Sequence, residues 1–169
     1  MTKDILKILN ERLKSDNIPS RLTEEGNVLT VLLDEAAAGR DIYGDIYYND
    51  YEADNAENGL IVMEWEIMDM TDLEDEDHGM LCMASAIINS LLPAGGYAVR
   101  VSDDESSEII LLYRIVIPSG ELDDSEGTSD MLYESVNISA AVLKTTVDAL
   151  YRIAGRDMTI DEFWDNFAR

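Results

Sequence analysis

MLCMASAIINSLL over Met80–Leu92, then Pro93-Ala94-Gly95-Gly96, then YAVRVS over Tyr97–Ser102 and EIILLYRIVI over Glu108–Ile117: this stretch decides the fold. The first run is apolar throughout and lacks the two-residue alternation of a half-buried strand. Its Ala and Met content predicts a helix buried on most sides. Proline and glycine stop it, since glycine is free to take the left-handed conformation that ends helices. Tyr97, Val99 and Val101 then alternate with Ala98, Arg100 and Ser102, which predicts a strand with the first three inward. Asp103–Ser107 reads as a polar turn and Glu108–Ile117 as the returning strand, so the pair is a hairpin. Pro118-Ser119-Gly120 closes it.

Upstream, Leu60–Met68 reads as a strand, with Ile61, Met63, Trp65 and Ile67 inward and Glu64 and Glu66 toward water. Ile42–Tyr48 is another, with Ile42, Gly44, Ile46 and Tyr48 on one face and Tyr43, Asp45 and Tyr47 on the other. Val28–Leu33, opened by Gly26-Asn27, is a third, and Ala36–Gly39 is a small-residue turn. Thr2–Asp16 places Ile5, Ile8, Leu9 and Leu13 on one helical stripe, and Ile18-Pro19 ends it. Asn49–Asn58, Thr71–Asp77 and Glu121–Gly127 are acidic loops.

Downstream, Leu132, Val136, Ala140, Leu143, Val147, Leu150 and Ala154 step by three or four, which predicts a long helix over Ser129–Arg156 ending near Gly155. Thr159-Ile160-Asp161-Glu162 is a capping box for a last short helix carrying Ile160, Phe163, Trp164 and Phe167 on one stripe. The predicted class is α+β in the order α-β-β-β-α-β-β-α: a mainly antiparallel five-stranded sheet packed by helices, with a short C-terminal helix. Without repeats or linker-like tracts, one domain is expected over 1–169, with 157–169 as an appended aromatic helix.

The chain carries 36 Asp+Glu against 12 Lys+Arg, a net charge of −24. Residues 34–77 hold 16 acids and one base, Arg40, while Lys3, Lys7, Arg12 and Lys14 gather on the first helix. Nucleic acid is a poor partner for a chain of net charge −24, because phosphate binding needs an excess of clustered Lys and Arg; no nucleic acid is expected. A membrane is not expected either, since the apolar runs fall far short of about 20 residues. Met1–Asn10 lacks the unbroken apolar core of a signal peptide, so the expected location is the cytoplasm.

The element order resembles the type III secretion chaperone-like fold, which includes the secretion chaperones and the YbjN-like proteins. The resemblance is carried by the opening helix (KDILKILNERL), three strands, a buried helix ending LLPAGG, the hairpin (YAVRVSDD…IILLYRIVIP) and a long closing helix. It implies a small acidic homodimer, and for the secretion chaperones a client bound as an extended, partly unfolded segment.

His78 and Cys82 are the only residues of their kinds, which excludes a two-His metal site and an intramolecular disulfide. His78 reads as a surface residue at a helix start, and Cys82 as a small buried hydrophobe. Asp72–Asp77 reads as a solvated loop rather than a cation site. The stretch from Asp54 fails as a calcium loop, because Ala56 takes the third position and Trp65 the twelfth. Glu64 and Glu66 read as a solvated strand face. The expectation is therefore no enzyme, no catalytic residue, no cofactor and no metal. The expected function is a chaperone-like module binding an extended or helical segment of a basic partner protein. The expected contact residues are Tyr47, Met63, Trp65, Phe163, Trp164 and Phe167. The alternative is an acidic immunity or inhibitor protein masking a basic toxin or nuclease, which the charge suggests.

Overall fold

The computed structural model describes residues 2–37, 39–49, 59–92, 94–102, 107–118 and 126–167. The expected Asp103–Ser107 turn lies almost wholly outside them, as do most of the Asn49–Asn58 and Glu121–Gly127 loops and the Ser119-Gly120 closure. The elements run α1 (Thr2–Ser15), β1 (Ser20–Leu22), β2 (Val28–Ala37), β3 (Arg40–Asn49), β4 (Leu60–Asp69), α2 (Asp75–Asn89), β5 (Gly96–Val101), β6 (Ile109–Pro118), α3 (Glu126–Ala154) and α4 (Ile160–Phe167). The class is α+β, with a six-stranded open sheet in the order β1-β2-β3-β4-β6-β5 and every pairing antiparallel. The expected five strands become six, because Ser20–Leu22 pairs with Leu29–Val31.

One face of the sheet carries the core. Leu29, Val31 and Leu33 of β2, Ile42 and Ile46 of β3, Ile61, Met63 and Trp65 of β4, and Leu111, Tyr113 and Ile115 of β6 are all buried among the helices. At about 25 cal/mol per Å² of apolar surface removed from water, such a layer is the main favourable contribution to folding. A bulge between Glu66 and Met68 shifts the inward pattern of β4 by one residue. Met68 therefore opposes Leu111, and Met70 is buried beyond it.

Helix α3 is about 43 Å long at 1.5 Å per residue. Its expected stripe is the observed one: Leu132, Val136, Leu143, Val147 and Leu150 are buried, and Ala140 and Ala154 half-buried. On α1 the buried apolar set is Ile5, Leu6, Leu9 and Leu13, with Leu6 where Ile8 is expected; Ile8 is exposed. Arg12 joins α1 to α3 by an ion pair with Asp130 and lies 4.3 Å from the centre of the Tyr133 ring.

Helix α3 ends at Ala154, directly before Gly155, as expected. Arg156, not Gly155, adopts the left-handed conformation, with φ of +59°. Its guanidinium is held by Asp77 Oδ1 at 3.0 Å and Glu74 Oε2 at 2.6 Å, across to the start of α2. These charge-assisted bonds hold a residue larger than glycine in that conformation. Glycine does take the left-handed conformation at Gly95, φ +69°, where an added Cβ would meet the Tyr113 hydroxyl at 2.6 Å.

Helix α2 is buried on one stripe only, Asp77, Leu81, Ala84, Ser85 and Ile88. Cys82 and Met83 face solvent, which corrects the reading of Cys82 as a buried hydrophobe. His78 is half-buried and its Nε2 lies 2.6 Å from the Met70 carbonyl oxygen. The capping box of α4 is formed as expected. Glu162 accepts from the Thr159 N–H at 2.9 Å, and the Glu162 N–H donates to Thr159 Oγ1 at 3.3 Å.

Tyr97 ties the sheet to α3, its hydroxyl hydrogen-bonded to the buried Thr146 Oγ1. Burial pushes its ionisation well above the ordinary value of 10.0, as it does less strongly for Tyr113. In the unfolded chain these phenols lose their protons near pH 10, so above that pH the folded state binds more protons than the unfolded one. Stability is therefore full below pH 10 and falls as pH rises beyond it. Urea midpoints between pH 9 and 11 will fall, and Tyr97→Phe will flatten that fall. An equal slope in the variant would contradict the assignment.

Candidate functional site

Among the described residues the helices pack on one face of the sheet and no helix packs on the other. Register assigns to this open face Thr30 and Leu32 of β2, Tyr43, Asp45 and Tyr47 of β3, Val62, Glu64 and Glu66 of β4, Leu112, Arg114 and Val116 of β6, and Ala98 and Arg100 of β5. Alternation places these side chains together because each strand pairs antiparallel with its neighbour and the period is two.

An ionic network occupies the centre. Glu64 stands directly between Asp45 and Arg114 in the strand register. Arg114 donates to Glu64 Oε1 through Nε at 2.6 Å and through a second guanidinium nitrogen. The Tyr47 hydroxyl donates to Glu64 Oε2 at 3.0 Å. Arg100 lies 3.6 Å from Glu64 Oε2 and also pairs with Glu66. Thr30 donates to Asp45 at 2.7 Å. Only 8% of the Glu64 side chain is exposed, so the expectation that it faces water is corrected. It lies buried because two guanidinium groups and a phenol replace its water. Partial burial and the hydrogen bond to Glu64 raise the ionisation of Tyr47, while the hydrogen bond to Glu66 raises that of Arg100.

Around this centre the apolar side chains differ in exposure, with Leu112 and Val62 buried. Tyr43 is 55% exposed and Val116 46%, and Tyr47 and Leu32 are half-buried. A groove of about 180 Å³ lies beside Tyr43, bounded by Thr30, Asp45, Glu66 and Arg100. Among the described residues no cluster of His, Cys, Asp or Glu has the arrangement of a metal site.

The six expected contact residues separate. Tyr47 belongs to the open face. Met63 and Trp65 have no exposed surface, because they project from β4 into the helix layer. Phe163 is fully buried and stacks on Phe167, with ring centres 4.5 Å apart, where α4 packs against α2. These three lie buried in the core. Trp164 is 52% exposed and Phe167 half-buried, on a helix that packs against α2. The sequence reading missed Tyr43, Arg100, Arg114 and Val116. Tyr43 shared the face of Tyr47 in the alternation, which was the available signal; Arg114 was not paired with Glu64, because that pairing depends on register.

No family model, curated protein or solved structure matches the chain. No helix among the described residues is long and apolar enough to cross a membrane.

Proposed function

We propose that the chain is a non-enzymatic protein-binding module, chaperone-like in its order of elements, that holds an extended or helical segment of a partner protein against the open face of its sheet. The observation that carries this is the sheet face on which, among the described residues, no helix packs. A fixed network, with Glu64 matched by Arg100 and Arg114, is ringed by the accessible Tyr43, Leu32 and Val116. Preorganised charges beneath aromatic and aliphatic contact surface are what a binding patch needs. Tyrosine in particular is enriched among residues that dominate binding energy. The charge of −24 favours a basic partner and speeds its approach. The reading includes a cytoplasmic setting, in line with a single cysteine, and a homodimer, in line with the resemblance in element order.

A photo-crosslinking residue at position 43 tests it, with the same residue at exposed Asp148 on α3 as the control. In cells that express the chain, a discrete crosslinked protein is expected from position 43 and not from 148. Equal or absent crosslinking from both positions would overturn the proposal.

A further inference from the structure

We infer that the groove beside Tyr43 takes the guanidinium of an arginine carried by the partner segment, paired with Asp45 and stacked on the Tyr43 ring. This rests on the protein-binding reading and names the residue the partner brings. The groove lies over the β3–β4 pairing. Tyr43 and Asp45 flank Gly44 on β3, Glu64 and Glu66 stand across from them on β4, and Arg100 reaches in from β5. Its volume of about 180 Å³ is below the roughly 300–1,000 Å³ of sites that hold whole small molecules, so it suits one side-chain head.

Charge selects that head. The carboxylates Asp45, Glu64 and Glu66 meet two guanidiniums, Arg100 and Arg114. Arg114 is held by Glu64, and Arg100 by Glu66 with a longer contact to Glu64. Asp45 is the carboxylate left over. It accepts from the neutral Thr30 hydroxyl at 2.7 Å and has no ion pair among the described residues. One added positive charge therefore balances the set. Further out on the same face, Arg21 of β1, opposite Thr30, and Asp41 of β3 offset one another. A metal ion is not the match, because among the described residues no acids have the arrangement of a metal site.

The chain shows the completed arrangement elsewhere. Arg12 pairs with Asp130 while its guanidinium lies 4.3 Å from the centre of the Tyr133 ring. Arg40 likewise lies 3.8 Å from the centre of the Tyr151 ring. Asp45 and the 55% exposed Tyr43 present the same carboxylate and ring to an incoming group. Arginine suits them better than lysine: its planar head stacks on a ring and offers paired donors to a carboxylate, whereas an ammonium is a point charge.

The test titrates the full chain with Nα-acetyl-arginine methylamide at low ionic strength, where exposed ion pairs are least screened, and follows NMR shifts. Saturable shifts are expected at Tyr43, Asp45 and Glu66. The citrulline counterpart, neutral and nearly the same shape, is expected to bind about tenfold more weakly, since it loses both the ion pair and the ring contact. Asp45→Asn keeps an acceptor for Thr30 and is expected to weaken the arginine compound about threefold. No binding of the arginine compound, equal binding of the citrulline compound, unchanged affinity in Asp45→Asn, or shifts that miss Tyr43 and Asp45 would overturn the inference. A partner crosslinked from position 43 separates this inference from the broader reading, and is expected to bind Asp45→Asn more weakly than wild type. If it binds that variant as tightly, the arginine contact is wrong and protein binding stands. If no partner crosslinks from position 43, the broader reading fails and this inference falls with it.

Discussion

Replacing Gly44 with alanine will lower stability by about 3 kcal/mol, the upper part of the range for forcing extra volume into a packed core. Gly44 sits opposite Trp65 in the β3–β4 register, and a Cβ at this position would lie 2.1 Å from Cε3 of the indole and 2.5 Å from Cδ2. The contact is with a fully buried ring, not the mobile end of a side chain, so the clash is relieved only by moving the ring or parting the strands. For a domain of this size, about 3 kcal/mol corresponds to a fall in Tm of about 6–12 °C. Thermal unfolding followed by circular dichroism measures it. Combining Gly44→Ala with Trp65→Leu makes room for the methyl group and is expected to cost less than the sum of the two single changes. Strict additivity would show that the ring and the glycine do not share the space.

Arg114→Ala is expected to cost about 2–3 kcal/mol, because it leaves Glu64 buried with its principal charge partner gone. The full cost of an orphaned interior charge is not expected: Arg100 remains 3.6 Å away, Tyr47 still donates, and the Arg114 side chain is itself 40% exposed. Removing both charges with Glu64→Leu and Arg114→Leu is expected to recover stability to within about 1 kcal/mol of wild type, since no buried charge is then unpaired. Urea unfolding of the two single variants and the pair completes the cycle. A double variant less stable than Arg114→Ala alone would mean that the network holds the sheet together. The predicted recovery would leave it the role of a fixed floor for a contact surface.

The parts of this fold legible in the sequence are those with a long period. The stripe of α3 runs over seven residues, so one misplaced residue does not blur it, and the Thr159–Glu162 box has a fixed spacing that its hydrogen bonds reproduce. Strand β1 was missed because Ser20-Arg21-Leu22 is too short to alternate and follows Pro19. The exposed side of α2 was missed because Cys82, Met83 and Ala86 carry no polar mark, so an apolar run hides which side faces water. Alternation had already placed Met63 and Trp65 inward, and the structure bears out that part of the reading; their assignment as contact residues ran against it. Glu64 shows the limit most clearly. Its face follows from a period of two, but its burial depends on Arg114, 50 residues away, which only strand register brings opposite.

The most direct measurement is the affinity of the partner crosslinked from position 43 for the wild-type chain and for Tyr43→Ala and Val116→Asp, each with its urea midpoint. An affinity at least tenfold weaker in both variants, with the midpoints unchanged, is the result expected of a contact surface on the open face. Unchanged affinity in both would contradict it and leave that face as the plain exterior of the sheet.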